Sequence, residues 1–169
     1  MREQVKGWLE GEGILKGEAS PPKAAWAFEA QYPGQPFVAL VLQPTDKPDL
    51  VLVVANQEIA KGLTDRLAAM PDDEYQRFEL DLRLDLNRRP PEVGIVQGPK
   101  RRLWRLQHAC PVFADGLNKD SFMRALRHVF RNLMHVDLWL ARNVPGPGKP
   151  MAFRLRPKES WVDLEDAES

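Results

Sequence analysis

Three histidines and a single cysteine are the side chains in this sequence best suited to hold a metal or attack a substrate. His128 and His135 stand seven apart in a segment of helical period, on one side of a helix but two turns from each other, roughly 10 Å at about 1.5 Å per residue. That is too far for one ion without other ligands, and both read as surface residues. His108 and Cys110 alternate along a strand-like segment and share a face, a geometry open to a ligand pair or a thiolate pair. With no second cysteine and no clustered acid nearby, the residue types predict an unreactive, partly buried thiol. Asp72, Asp73, Glu74, Asp81 and Asp85 could serve acid/base chemistry, but acids in the first turn and on the outer face of a helix are ordinary solvated groups. The chain contains no GxGxxG or Walker-type phosphate loop, no GxSxG nucleophile elbow and no HExxH zinc motif. We assign no catalytic residue, no metal and no cofactor, and expect a protein that is not an enzyme.

The basic residues are more regularly placed. Arg124, Arg127, His128 and Arg131, continued by His135 and Arg142, occupy the helix face opposite Phe122, Leu126, Val129 and Leu133. Lys100-Arg101-Arg102 and Arg105 form a second cluster. Twenty-four basic residues balance 24 acidic ones, so no global field gathers nucleic acid or an anionic membrane, and any charged site is local. A solvated face paired with acids from Glu79–Asp85 is the simplest account of the stripe. An acidic partner, protein or nucleic acid, is the functional alternative, with Trp104 as a thin stacking platform. Asp137 is the misfit: helical geometry sets it between Leu126 and Phe130, inside the apolar arc, where an unpaired carboxylate is costly. It reads as a hydrogen-bonded structural residue near the helix end or at an interface, or alternatively as a perturbed acid in a pocket.

These residues need elements to position them, and the longest is the helix spanning Asp120–Arg142. Phe122, Ala125, Leu126, Val129, Leu133, Val136 and Leu140 fall on one of its faces. Met123, Phe130, Met134 and Ala141 widen that arc to about half the circumference, more than the roughly 100° that one sheet covers. The surplus predicts packing against another helix or a second copy, so a homodimer is expected as one form of the protein. Candidate partner-binding residues are therefore Arg124, Arg127, His128, Arg131 and Met134.

Before that helix the chain reads as a short helix over Arg2–Glu10 and a loop over Lys16–Lys23, then strands near Ala24–Tyr32, Phe37–Leu42 and Leu50–Ala55. A helix capped by Asn56 follows, carrying Ile59, Leu63 and Leu67. A second helix spans Asp72–Arg89, acidic at its start and closed by Pro90-Pro91. A hairpin of Val93–Gln97 and Leu103–Cys110 turns at Gly98-Pro99-Lys100, with Leu103 and Arg105 on one face and Trp104, Leu106, His108 and Cys110 on the other. The fold class is α+β: an antiparallel sheet of about five strands covered by helices, in the order α-β-β-β-α-α-β-β-α.

Residues 1–144 form the expected domain and 145–169 a Pro/Gly linker with an acidic tail. In that tail Met151–Arg156 has strand alternation and is expected to add to a free sheet edge, its acids then lying near the basic stripe. At 169 residues one core suffices. The N-terminus has no signal-like apolar run, no stretch reaches about 18 apolar residues, and one cysteine suits a reducing compartment, so a cytoplasmic protein without membrane contact is expected.

Trp8-Leu9 in the first helix, DLVLVVAN in the third strand, the acidic-to-LNRRP helix and DGLNKDSFMRALRHVFRN opening the last helix together resemble a bacterial and archaeal family of uncharacterised proteins. Its fold is similar to that of the type III secretion chaperones and the sensory-transduction-regulator family. The resemblance covers roughly Arg2 to Arg142. It implies helices over an antiparallel sheet, often a dimer, acting by protein contact without a cofactor. The function expected is a non-enzymatic protein-interaction or chaperone-like module. The alternatives are a small nucleic-acid-binding protein using the basic face, or an enzyme of undetected type.

Overall fold

Two continuous apolar runs, FVALVL and LVLVVA, are too short for stable helices and rich in β-branched residues, and they form the centre of the sheet. The computed structural model describes residues 1–88, 90–98 and 102–144. Its elements are α1 (Arg2–Gly11), β1 (Leu15–Ala19), β2 (Ala24–Ala30), β3 (Ala39–Pro44), β4 (Leu50–Glu58), α2 (Lys61–Ala69), α3 (Asp72–Leu86), β5 (Glu92–Gln97), β6 (Leu103–Phe113) and α4 (Lys119–Asn143), with a 3₁₀ turn at Ala114–Gly116. The strands make one antiparallel sheet in the order β1-β2-β3-β4-β6-β5. The α+β class and element order are those expected, with six strands in place of about five.

The extra strand is β1, which lies in the stretch read as a loop. Its sequence, LKGEA, has almost no apolar alternation, and it is extended because its backbone pairs with β2 from Leu15↔Ala30 to Ala19↔Ala27. Asn56 is not a helix cap. The β4–β6 ladder continues unbroken from Leu50↔Phe113 to Glu58↔Arg105, so Asn56 sits in β4 opposite Gln107, and α2 begins after Ala60. A register shift at Trp104 inverts the expected faces at the start of β6: Leu103 turns into the core and Trp104 outward. The alternation from Leu106 onward is as read.

The core lies between the sheet and the helices. Val41, Val51, Val53, Ala55 and Leu106 on one sheet face meet Val5 and Leu9 of α1, Leu63 and Leu67 of α2, Phe78 and Leu82 of α3, and the inner side of α4. Ring contacts tie the layer together: Trp8 with Phe122, Tyr32 edge-on to Phe130, and Phe78 with Trp139. Tyr75 fixes α3 to the head of β6. Its hydroxyl accepts from the Leu103 N–H at 2.8 Å, while the Arg102 guanidinium lies 4.1 Å from the ring centroid and donates to Met70 O and Asp72.

In α3 the helical stripe Tyr75, Phe78, Leu82, Leu86 is buried, whereas Leu80 and Leu84 face outward. No helix of the described residues is long and apolar enough to cross a membrane. The linker, the tail with its expected strand at Met151–Arg156, and Lys100-Arg101 of the second basic cluster lie outside the described residues.

Candidate partner-docking site

A capping box starts α4: Asn118 accepts from the Ser121 N–H at 2.9 Å, and the Ser121 hydroxyl accepts from the Asn118 N–H at 3.0 Å. From that fixed start the helix crosses β6, β4 and β3, and its residues divide by azimuth. Phe122, Leu126, Val129, Leu133, Val136 and Leu140 are buried against the sheet. The flank carrying His135 and Trp139 meets α3, where His135 Nε2 hydrogen-bonds Asp85 Oδ2 at 2.5 Å and Trp139 packs on Phe78. The opposite flank is covered only over its first half, by Tyr32 on Phe130. Beyond Phe130 it emerges at the surface.

There Met134 is 43% exposed and Leu138, one turn on, 62% exposed, large values for apolar side chains on a core helix. Asp137 stands beside them, half-buried. Burial pushes its carboxyl up to about 6. Among the described residues it has no hydrogen bond or ion pair, which leaves a residue at an interface or a perturbed acid as its reading. Sequence reasoning missed Leu138, although its i+4 spacing from Met134 marks the same strip.

Arg124, Arg127 and Arg131 are exposed along the outer side of the helix and His128 is half-exposed, so the structure brings the five candidate residues onto one surface. Among the described residues the expected pairing with acids from Glu79–Asp85 is limited to His135 with Asp85, and Glu79 binds Arg83 and Gln97 instead. At the start of α4, Lys119 forms an ion pair with Glu12 of α1. Lys119, with Arg127 nearby, holds the Glu12 carboxyl below its ordinary range.

The residues considered for chemistry are held elsewhere. His108 belongs to a buried polar chain with Gln57 and Asn132 that sequence reasoning did not find. Gln57 Nε2 donates to Leu133 O at 3.2 Å, which makes Gln57 Oε1 the acceptor for His108 Nε2–H at 3.0 Å. His108 Nδ1 then accepts from Asn132 Nδ2–H at 3.2 Å. The imidazole is neutral, its pKa lowered to about 3 by burial. Both ring nitrogens are occupied, so no pair with Cys110 forms. The thiol itself is pushed up by burial and by Glu92, away from thiolate character. The signal for Gln57 was present in its alternation with Val51, Val53 and Ala55, which points it inward. The described residues contain no cluster of ligands able to hold a metal ion.

The family model of an uncharacterized conserved protein, DUF2299, matches residues 1–140. Among solved structures, an uncharacterized protein from Methanothermobacter thermautotrophicus is similar with a TM-score of 0.79 and 24% identity, over 85% of this chain and 99% of that one. YbjN from E. coli, for which a role in transcription regulation has been suggested, is similar at a TM-score of 0.48 and 17% identity, over 84% of this chain and 92% of its own. The first likeness shows the fold, which is that of the suspected family; the second is too distant to bear on function. No curated protein matches the sequence.

Proposed function

The chain belongs to the DUF2299 family, and we propose that it acts without catalysis, as a module that docks another protein on the outer flank of α4. One observation carries this reading: Met134 and Leu138 are exposed next to a partly desolvated Asp137 that has no partner among the described residues. A complementary surface would cover the two apolar side chains, bring a base to Asp137, and set acids against Arg127 and Arg131. Burying an apolar centre inside a polar rim is how protein interfaces gain affinity and orientation. The acids of α3 support a non-catalytic reading, since Asp72, Asp73, Glu79 and Asp85 each hold a structural partner. A half-buried free thiol suits a reducing, cytoplasmic setting.

The test is affinity capture from a lysate of the source organism, with wild type and Met134→Lys/Leu138→Lys side by side. A partner held by wild type and lost by the variant supports the proposal; identical captured sets defeat it. The exposed arginine row favours a second reading, nucleic acid. Binding to random RNA or DNA whose log affinity falls with log salt at about −0.7 to −0.9 per phosphate neutralised would move the assignment there.

A further inference from the structure

All helices of the described residues pack on one face of the sheet, yet the other face is not built for water. An antiparallel sheet covered on one side ordinarily alternates apolar and polar residues. Here Ala19, Ala27, Leu40, Leu42, Leu52, Val54 and Ala109 form a second apolar cluster, to which no helix contributes. Its centre is almost inaccessible: Leu40 is 1% exposed, Ala27 and Leu42 3%, and Val54 9%. The continuous apolar sequence of β3 and β4 has the same origin, because strands buried on both faces lose their alternation.

On the same face stands Arg105. It is 9% exposed and its Nε has no hydrogen-bond partner among the described residues. Glu58 is directly opposite in register, but no ion pair joins them. A buried N–H donor left without an acceptor is costly. The occupant of this face should therefore bring apolar side chains and an acceptor for the Arg105 Nε–H, a role that a carboxylate fills best beside a guanidinium.

We infer that residues 145–169 of this same chain dock there, laying their apolar side chains on the second cluster and an acid on Arg105. They contain Phe153, Leu155, Trp161, Val162 and Leu164, and from Glu159 onward five acids and no base. The basic residues Arg154 and Arg156 precede that acidic part and suit Glu29 and Glu58 on the same face. Length permits the path, since 25 residues beginning after Val144 extend to about 80 Å at about 3.3 Å each. This differs from adding a strand to the sheet edge, because side chains rather than backbone groups carry the contact. The family match stops at residue 140, so this cover belongs to what lies beyond the shared domain.

The test uses the full chain with Cys110→Ala and a spin label at Ser160→Cys. Broadening of the methyl signals of Leu40, Leu42 and Val54, with those of Leu126 and Val129 across the sheet spared, is the expected result. Asp163→Lys/Glu165→Lys/Asp166→Lys should abolish the broadening. These three positions lie outside the α+β body, so the loss cannot be a failure of that body to fold. Unaffected open-face methyls in the labelled protein overturn the inference. Broadening seen only when labelled and isotope-enriched chains are mixed assigns the face to a second copy and overturns it equally.

Discussion

His108 is neutral because Gln57 and Asn132 occupy both of its ring nitrogens and burial disfavours its charge, whereas Asp137 is half-buried with no partner for its charge among the described residues. The two respond to acid in opposite senses. With a folded pKa of about 3 against 6.5 unfolded, His108 contributes fully above pH 6.5; below it the unfolded chain takes a proton that the fold refuses, and stability falls by up to about 1.4 kcal/mol per pH unit. Asp137, at about 6 folded against 3.8 unfolded, holds a proton that the unfolded chain has released, so its contribution is full below pH 3.8 and lost as pH rises through 6. Between these limits the slopes largely cancel in the wild type. Urea unfolding across the range should show His108→Gln gaining stability on acidification relative to wild type, and Asp137→Asn losing it. At neutral pH Asp137→Asn should be the more stable protein by on the order of 1 kcal/mol, after allowing for the screening of a half-exposed group.

At the scale of elements, α4 and the β5–β6 hairpin are held by different means. Ten α4 side chains are buried, so Leu126→Ala should cost about 2–5 kcal/mol, measured by chemical denaturation. Removing only the cap, with Asn118→Ala, should cost about 1 kcal/mol through the freed N-terminal N–H groups. The hairpin depends instead on a close approach. A Cβ added at Gly98 would stand 2.9 Å from the Trp104 Cβ, next to the turn closed by Gly98 N–H to Arg102 O. Gly98→Ala should therefore displace Trp104, visible as a change in indole fluorescence, and lower the unfolding midpoint.

Over the whole molecule the helices cover one sheet face and leave the outer flank of α4 open. If a second copy of the chain docks there, Met134→Lys/Leu138→Lys should shift the sedimenting mass from dimer to monomer. Because both side chains are already exposed, the variant should keep wild-type stability to within about 0.5 kcal/mol. A wild-type protein that stays monomeric at high concentration excludes the second copy and leaves a different protein as the occupant.

Short apolar runs rich in β-branched residues marked the sheet's central strands, and periodicity marked α4 from Phe122 to Leu140. In α3 the stripe Tyr75, Phe78, Leu82 and Leu86 competes with a strand-like alternation through Leu80 and Leu84, and the acidic start with Pro90-Pro91 beyond the end decided for a helix. Periodicity also placed the arginine row on the face of α4 opposite the core and found Asp137 out of place. Only tertiary structure decided the rest, wherever a residue's state depends on partners distant in sequence. LKGEA became a strand because β2 offered it a ladder, and Asn56 became a strand residue because β6 offered it another. Gln57, His108 and Asn132 meet from β4, β6 and α4, three elements far apart along the chain, and no local pattern records their convergence. Exposure of Met134 and Leu138 likewise follows from where α1, Tyr32 and α3 stop, and a helix's own sequence cannot say which of its apolar positions its neighbours will reach.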